Sequence, residues 1–326
     1  MDFTKFNDHF RLSLVQELDF QNELVNCERT RNHFQGYDDL YLPQTFLWKS
    51  SKRTLVMEYC RGHKIDDIEG MKATFGEDGA KNACQILVDA FGQMIFIHGM
   101  VHCDAHPGNI MVRPNPKDPR KPQVVLLDHG FYCHMNDSFR VKFCKLWYAM
   151  NTFDYESVKA IAQEMGMGEY FRYLPLLFTY RTINAKKPLG GRITQDEIKF
   201  LKSNDEVNFE KLSLLMQCLP SEVVFIFKAM HIIGQHNRRS GGETRTRLLS
   251  FTNSCIESMN DQYTGLYQFY VKIQYRFKLW IFENLFWLFN KLYGFKEYEV
   301  PQEADLQDKN LIVDQITKIP KEEMKR

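Results

Sequence analysis

Residues 102–110 read HCDAHPGNI and residues 124–132 read VVLLDHGFY. Together they hold Asp104, Asn109 and, in front of a His-Gly pair, Asp128. A carboxylate and an amide can hold a divalent cation through hard oxygen donors, while a second carboxylate orients or accepts the proton of a hydroxyl. Two other readings compete. Asp, Asn, Pro and Gly are common turn residues, so Asp104 and Asn109 around Pro107-Gly108 could simply stabilise a turn. His98, His102 and His106 recur every four residues and on one helix would share a face as zinc ligands. Against zinc, Gly99 and Pro107 interrupt such a helix, and no Glu stands beside the histidines in an H-E-x-x-H arrangement.

The elements needed to position these groups can be read around them. IMV (110–112) and QVVLLD (123–128) are short apolar strands, and RPNPKDPRKP between them, with four prolines, is a loop. The resulting hairpin carries one motif at each end. The linked pattern H-x-D-x-x-x-x-N, strand, loop, strand, D-x-G matches a kinase catalytic loop followed by its metal-binding aspartate. Asp104 then takes the catalytic-loop position, and Asn109 and Asp128 take Mg²⁺. His102, His106, Pro107, Gly108, His129 and Gly130 become the loop framework, with Pro107-Gly108 the turn that delivers Asn109.

RTLVMEYCRG (53–62) fits the strand and hinge of a nucleotide pocket. Met57 would lie at its back, and backbone groups near Glu58 and Cys60 would meet the adenine edge. Alone, the stretch reads equally as a buried strand ending at Gly62. Residues 9–34 are predicted as one helix, with Leu14, Leu18 and Val25 at helical spacing and Gly36 ending it. On that helix Glu23 could pair with an ATP-positioning lysine, and Asp19, four residues earlier, shares its face. Residues 42–62 are predicted as two short strands around a polar turn at Lys49–Lys52, and 79–98 as a long buried helix. From about 135 the patterns are mostly helical, with breaks at Gly190-Gly191 and Gly241-Gly242. A charged tail follows Tyr298.

Composition narrows the class. With 326 residues, 44% hydrophobic and 25% charged, the chain can bury a sizeable core. A formal net charge of +1 gives no pointer to nucleic acid. The eight cysteines are scattered without a CxxC and read as reduced thiols. Neither a secretory signal nor a run long enough to span a membrane is evident. The aromatic stretch 277–295, FKLWIFENLFWLFNKLYGF, has basic flanks and fits either an interfacial membrane helix or a helix packed on a helical lobe. RRSGGETRTR (238–247) fits either an anion site or a helix stop followed by a helix start.

ELDFQNE (17–23), VMEYCRG (56–62), HGMVHCDAHPGNIMV (98–112) and VVLLDHGFY (124–132) together resemble the UbiB, or aarF-domain-containing kinase (ADCK), family of atypical kinases. The likeness continues through FRVKFCKLW (139–147) and LPSEVVFIFKAMHIIGQ (219–235) and covers roughly 10–260. It is nearest the mitochondrial subgroup outside coenzyme Q biosynthesis. The resemblance implies an α+β, protein-kinase-like fold with a mostly helical C-lobe, a truncated N-lobe and a C-terminal helical extension. Expected boundaries are 1–62 for the partial N-lobe, 63–260 for the C-lobe, 261–298 for the extension and 299–326 for the tail. It also implies ATP and Mg²⁺, a mitochondrial setting, and a regulatory ExD pair at Glu17 and Asp19. Its members act as ATPases or as small-molecule or lipid-linked kinases. Three family features are not found: a KxGQ segment, a small-residue phosphate loop and a V-A-x-K strand before Glu23. The expectation is therefore a fragment of a longer product or a degenerate, catalytically inactive binding module. No protein partner is indicated.

Overall fold

The computed structural model describes residues 19–179, 218–260, 269–281 and 284. Glu17, the Gly190-Gly191 break, most of 277–295 and the charged tail lie outside them. All described residues except Asn284 belong to one compact unit, Met1–Glu283.

The first described helix, α1 (Phe20–His33), begins later than the sequence pattern predicts. Asp19 has extended backbone, and its Oδ1 accepts the Gln21 N–H at 3.1 Å. An aspartate that can bond the first turn of a helix favours the cap over the interior, so a single helix through 9–34 is corrected at this point. The buried face of α1 is unusually polar, with Glu23, Asn26 and Thr30 beside Leu24 and Cys27.

Residues 42–62 are not two strands. They form a strap held by two isolated bridges, Thr45 to Met57 and Ser51 to Thr54, around a 3-10 turn at Leu47–Lys49. Ser50 explains why. Its hydroxyl donates to Phe46 O at 2.9 Å and accepts the Val56 N–H at 3.0 Å, inserting a side chain where ladder bonds would continue.

The predicted hairpin is present as β4 (Ile110–Pro114) and β5 (Pro122–Leu126), which pair antiparallel. β1 (Leu40–Tyr41) adds in parallel to β5, and β2 (His63–Lys64) adds antiparallel to β4, giving the order β1-β5-β4-β2. A second antiparallel pair, β3 (Met100–His102) with β6 (Tyr132–His134), brackets both chemistry-bearing loops. The sequence pattern did not reveal β3, β6, β1 or β2, each only two or three residues long.

Helices fill the rest. After α2 (Ile68–Phe75), α3 (Gly79–Gln93) runs into a π turn at Met94–His98, which ends at Gly99. Gly99 is left-handed at φ +65, and a Cβ there would sit 3.2 Å from Met135 O. α4 (Asp137–Asn151), α5 (Tyr155–Glu164), α6 (Leu174–Thr179), α7 (Ser221–Arg239) and α8 (Thr244–Asn260) follow, and residues 269–281 are helical. The turn between α7 and α8 falls at Gly241-Gly242, as predicted, so RRSGGETRTR is a helix stop and start.

The core under the loops is aromatic. The Trp147 ring lies 5.4 Å from Phe96 and 6.1 Å from Phe251, and its indole N–H donates to Thr252 Oγ1 at 3.0 Å. None of the eight cysteines is in a disulfide; all but Cys218 are buried. The chain is thus α+β, mostly helical with a small mixed sheet.

Candidate functional site

Asp104, Asn109 and Asp128 come together between β3, β4 and the end of β5. His102 closes β3 and is buried. Its Nε2 lies 2.7 Å from Asp128 O, a carbonyl that can only accept, so this nitrogen carries the proton. Its Nδ1 accepts the Asp104 N–H at 3.1 Å. One neutral imidazole therefore ties the two loops together, and burial lowers its pKa.

His106 caps the 3-10 turn Pro107–Asn109, its Nδ1 accepting the Gly108 N–H at 3.0 Å. A Cβ on Gly108 would stand 2.6 Å from that ring, which accounts for glycine there. The turn delivers Asn109, whose Nδ2 donates to Asp104 O at 3.1 Å and to Asp128 Oδ2 at 3.3 Å. Asn109 O in turn accepts the Leu127 N–H at 2.9 Å. Asp128 Oδ1 takes the Gly130 N–H at 2.8 Å. The Asp104 carboxylate remains partly exposed, with His106 Nε2 at 3.7 Å.

α1 grips the second loop from above. Glu23 Oε1 accepts the His129 N–H at 3.2 Å, and Asn26 Nδ2 donates to His129 O at 3.0 Å. The buried His129 ring lies 2.8 Å from the Tyr132 hydroxyl and 3.3 Å from Leu126 O. Burial pushes its pKa down to about 3. Thr30 Oγ1 completes the network at 3.2 Å from Tyr132. Burial raises the Glu23 pKa, the His129 N–H partly offsets this, and the Asp128 charge adds to it. Among the described residues no lysine or arginine pairs with Glu23. From below, His236 on α7 reaches Ala105 O with its Nε2 at 2.9 Å.

The remaining predicted residues are spread out. Asp19 caps α1 and faces Lys52 at 3.7 Å. Met57, Leu55 and Thr45 face Glu23, Leu127 and His129 across a space too tight to admit a water. Glu58 is held by the Tyr41 hydroxyl, by Gln44 N–H at 3.1 Å and by Arg113 at 4.0 Å. Its own N–H is taken by Gln44 O at 2.8 Å. Cys60 is buried, its Sγ 3.9 Å from Arg113. Among the described residues, 59–62 make no backbone-to-backbone hydrogen bonds.

The histidine spacing does not make a zinc site. His98 lies in the π turn, stacked on His33 at 4.5 Å, His102 in a strand and His106 in a 3-10 turn. Burial pushes His98 down to about 4. Among the described residues no cluster of three or more His, Cys, Asp or Glu is arranged around a metal position. By contrast, Asn109 and Asp128 supply hard oxygens, and Asn109 Oδ1 takes no donor among the described residues. That set fits Mg²⁺, which keeps several waters and needs few protein ligands.

Residues 1–162 match the ABC1 atypical kinase-like domain. The chain carries an ABC1 atypical kinase-like domain. It is 30% identical to AarF domain-containing protein kinase 1 of Xenopus laevis over 78% of this chain and 49% of that protein. The mouse protein of the same name gives 30% over 79% and 49%. A Dictyostelium discoideum protein named probable serine/threonine-protein kinase abkB gives 32% over 82% and 38%. The chain therefore spans about half the length, or less, of these curated relatives. Among solved structures, the Rv3197–erythromycin complex of Mycobacterium tuberculosis aligns over 77% of this chain and 61% of its own, at 15% identity and TM-score 0.49, too loosely to bear on the fold. The ABC1 match covers both loops, α1 and the strap, whereas His236 lies beyond it. Asn26, Thr30, Tyr132 and His236 were missed in the sequence. Glu23, Asn26 and Thr30 form a polar stripe at helical spacing that could have drawn attention to α1; His236 had no comparable signal.

Proposed function

We propose that the chain forms the metal-binding and catalytic-loop part of an atypical kinase or ATPase that uses ATP and Mg²⁺. A nucleotide held there would supply the phosphoryl group, and a metal held by Asn109 and Asp128 would neutralise its charge. Asp104 orients the attacking hydroxyl or water and takes its proton at the exposed carboxylate. Asn109 and Asp128 hold the metal, each fixed by bonds to the neighbouring loop. Glu23 is the helix carboxylate facing the nucleotide, and Glu17 and Asp19 form the regulatory ExD pair. Met57 would lie behind the adenine, and the backbone at 59–62, which makes no backbone-to-backbone hydrogen bond among the described residues, would meet its edge near Cys60 and Glu58. The boundaries at 62, 260 and 298 and the mitochondrial, lipid-linked setting belong to this reading through family resemblance.

The observation that carries the proposal is the Asn109 amide spanning Asp104 and Asp128. Its test is Mg²⁺-dependent ATP binding by the purified chain, lost in Asp128→Asn. A second reading, a kinase-like binding module without turnover, draws on two observations. Glu23 has no cationic partner among the described residues, and the space between Met57 and Glu23, Leu127 and His129 is too tight to admit a water. Phosphate release above background that disappears in Asp104→Asn would exclude it.

A further inference from the structure

Residues 269–281, FYVKIQYRFKLWI, form a helix with two apolar faces. One is seated on protein. Val271 and Leu279 are buried, and Tyr275 meets the Tyr148 ring of α4 edge-on at 4.8 Å. The other points outward. Phe269, Ile273 and Phe277, one turn apart, are 65%, 48% and 57% exposed, and Trp280 continues the stripe at 59%. A surface helix of a globular protein ordinarily shows polar side chains on that face.

The charges on this helix are all of one sign. It carries Lys272, Arg276 and Lys278 and no acidic residue, in a chain whose formal net charge is only +1. Lys272 lies 4.0 Å from Glu257 and Lys278 lies over the Tyr148 ring at 6.0 Å on the seated side, while Arg276 is exposed beside the outer stripe. A second copy of the chain laid against the stripe would bring cations against cations, which disfavours self-association. An anionic surface with an apolar interior satisfies both the stripe and its flanks. No helix among the described residues is long and apolar enough to cross a membrane. The following sequence, 282–295, continues the aromatic pattern with Phe282, Phe286 and Trp287, its charges being Glu283 and Lys291.

We infer that the outer face of helix 269–281 docks on an anionic lipid bilayer. Phe269, Ile273 and Phe277 enter the boundary between headgroups and acyl chains, and Arg276 meets lipid phosphates. The contact is independent of the nucleotide chemistry proposed above.

The test is flotation of the whole chain with vesicles of phosphatidylcholine alone or mixed with phosphatidylserine. Binding to the mixed vesicles is expected, weakened by salt. Ile273→Ser with Phe277→Ser should lower it by at least roughly tenfold, because both side chains are exposed and their loss leaves the fold intact. Arg276→Gln should lower it by about fivefold. Equal binding to both vesicle types, or serine variants that bind like wild type, would overturn the inference. So would a dimer in sedimentation that the serine substitutions dissociate.

Discussion

The loops at 102–109 and 126–132 and the strap at 42–62 both bear on the nucleotide reading, yet they are held by different means. The loops are locked through buried neutral groups: His102 between Asp104 and Asp128, His129 between α1 and Tyr132, and His236 under Ala105. The strap is tied by two isolated bridges, by part-buried bonds to α1 (Thr45 to Glu28 at 2.8 Å, Arg31 to Pro43 O at 2.6 Å) and by the part-exposed Tyr41–Glu58–Arg113 group. A buried polar group must be satisfied or it costs the full desolvation penalty, so it enforces one geometry. An exposed group has water as an alternative and enforces little. The two loops are therefore held in one geometry by buried bonds, whereas the strap is held by more exposed ones.

Paired substitutions sharpen that contrast. Trp147→Ala, under the loops, should cost about 3–5 kcal/mol in denaturant unfolding. Trp48→Ala, in the strap at 76% exposure, should cost within about 0.5 kcal/mol. Comparable losses would mean that the strap is packed as firmly as the core.

Acid should attack the loops next. Burial holds His129 well below its ordinary 6.5, and His98 and His102 are lowered as well. The unfolded chain takes up these protons first, so stability is complete above 6.5 and falls as pH drops toward the folded values. His129 alone contributes roughly 2 kcal/mol of loss between pH 6.5 and 5. A flat stability profile over that range would contradict the neutral, locked histidines.

Tyr132→Phe removes the hydroxyl shared by His129 and Thr30 and should cost about 1–2 kcal/mol. Tyr41→Phe removes the partner of Glu58 in the strap and should cost about 0.5 kcal/mol or less. Glu23 gives the smallest effect. Its folded pKa is raised, so its charged form is a burden once pH exceeds its ordinary 4.5. Glu23→Gln should raise Tm by roughly 1–2 °C at neutral pH, and the gain should vanish below that value. Destabilisation at neutral pH would instead indicate a cationic partner for the carboxylate.

The site was legible in the sequence where chemistry is local. Asp104, Asn109 and Asp128 announced themselves through spacing, because the Pro107-Gly108 turn and the hairpin convert sequence distance directly into proximity. Helix α3 and the Gly241-Gly242 break were legible through periodicity and backbone freedom. The supports were not. His236 meets a residue 131 positions away, and Asn26 one 103 positions away. Nothing in local pattern records such a contact. The strap failed as a pair of strands because one serine hydroxyl competes for its ladder bonds, a choice that β-propensity does not register. The α1 start failed because Asp19 fits a helix face and a helix cap equally well until its backbone is seen.

The central claim is that Asp128, fixed by Asn109 and Gly130, holds the metal of a nucleotide site. Thermal unfolding of the purified chain with ATP, with and without Mg²⁺, in wild type and Asp128→Asn, tests it most directly. The account predicts a rise of roughly 1–3 °C at millimolar Mg-ATP that requires both the metal and Asp128. A rise that survives loss of either, or no rise at all, would contradict it.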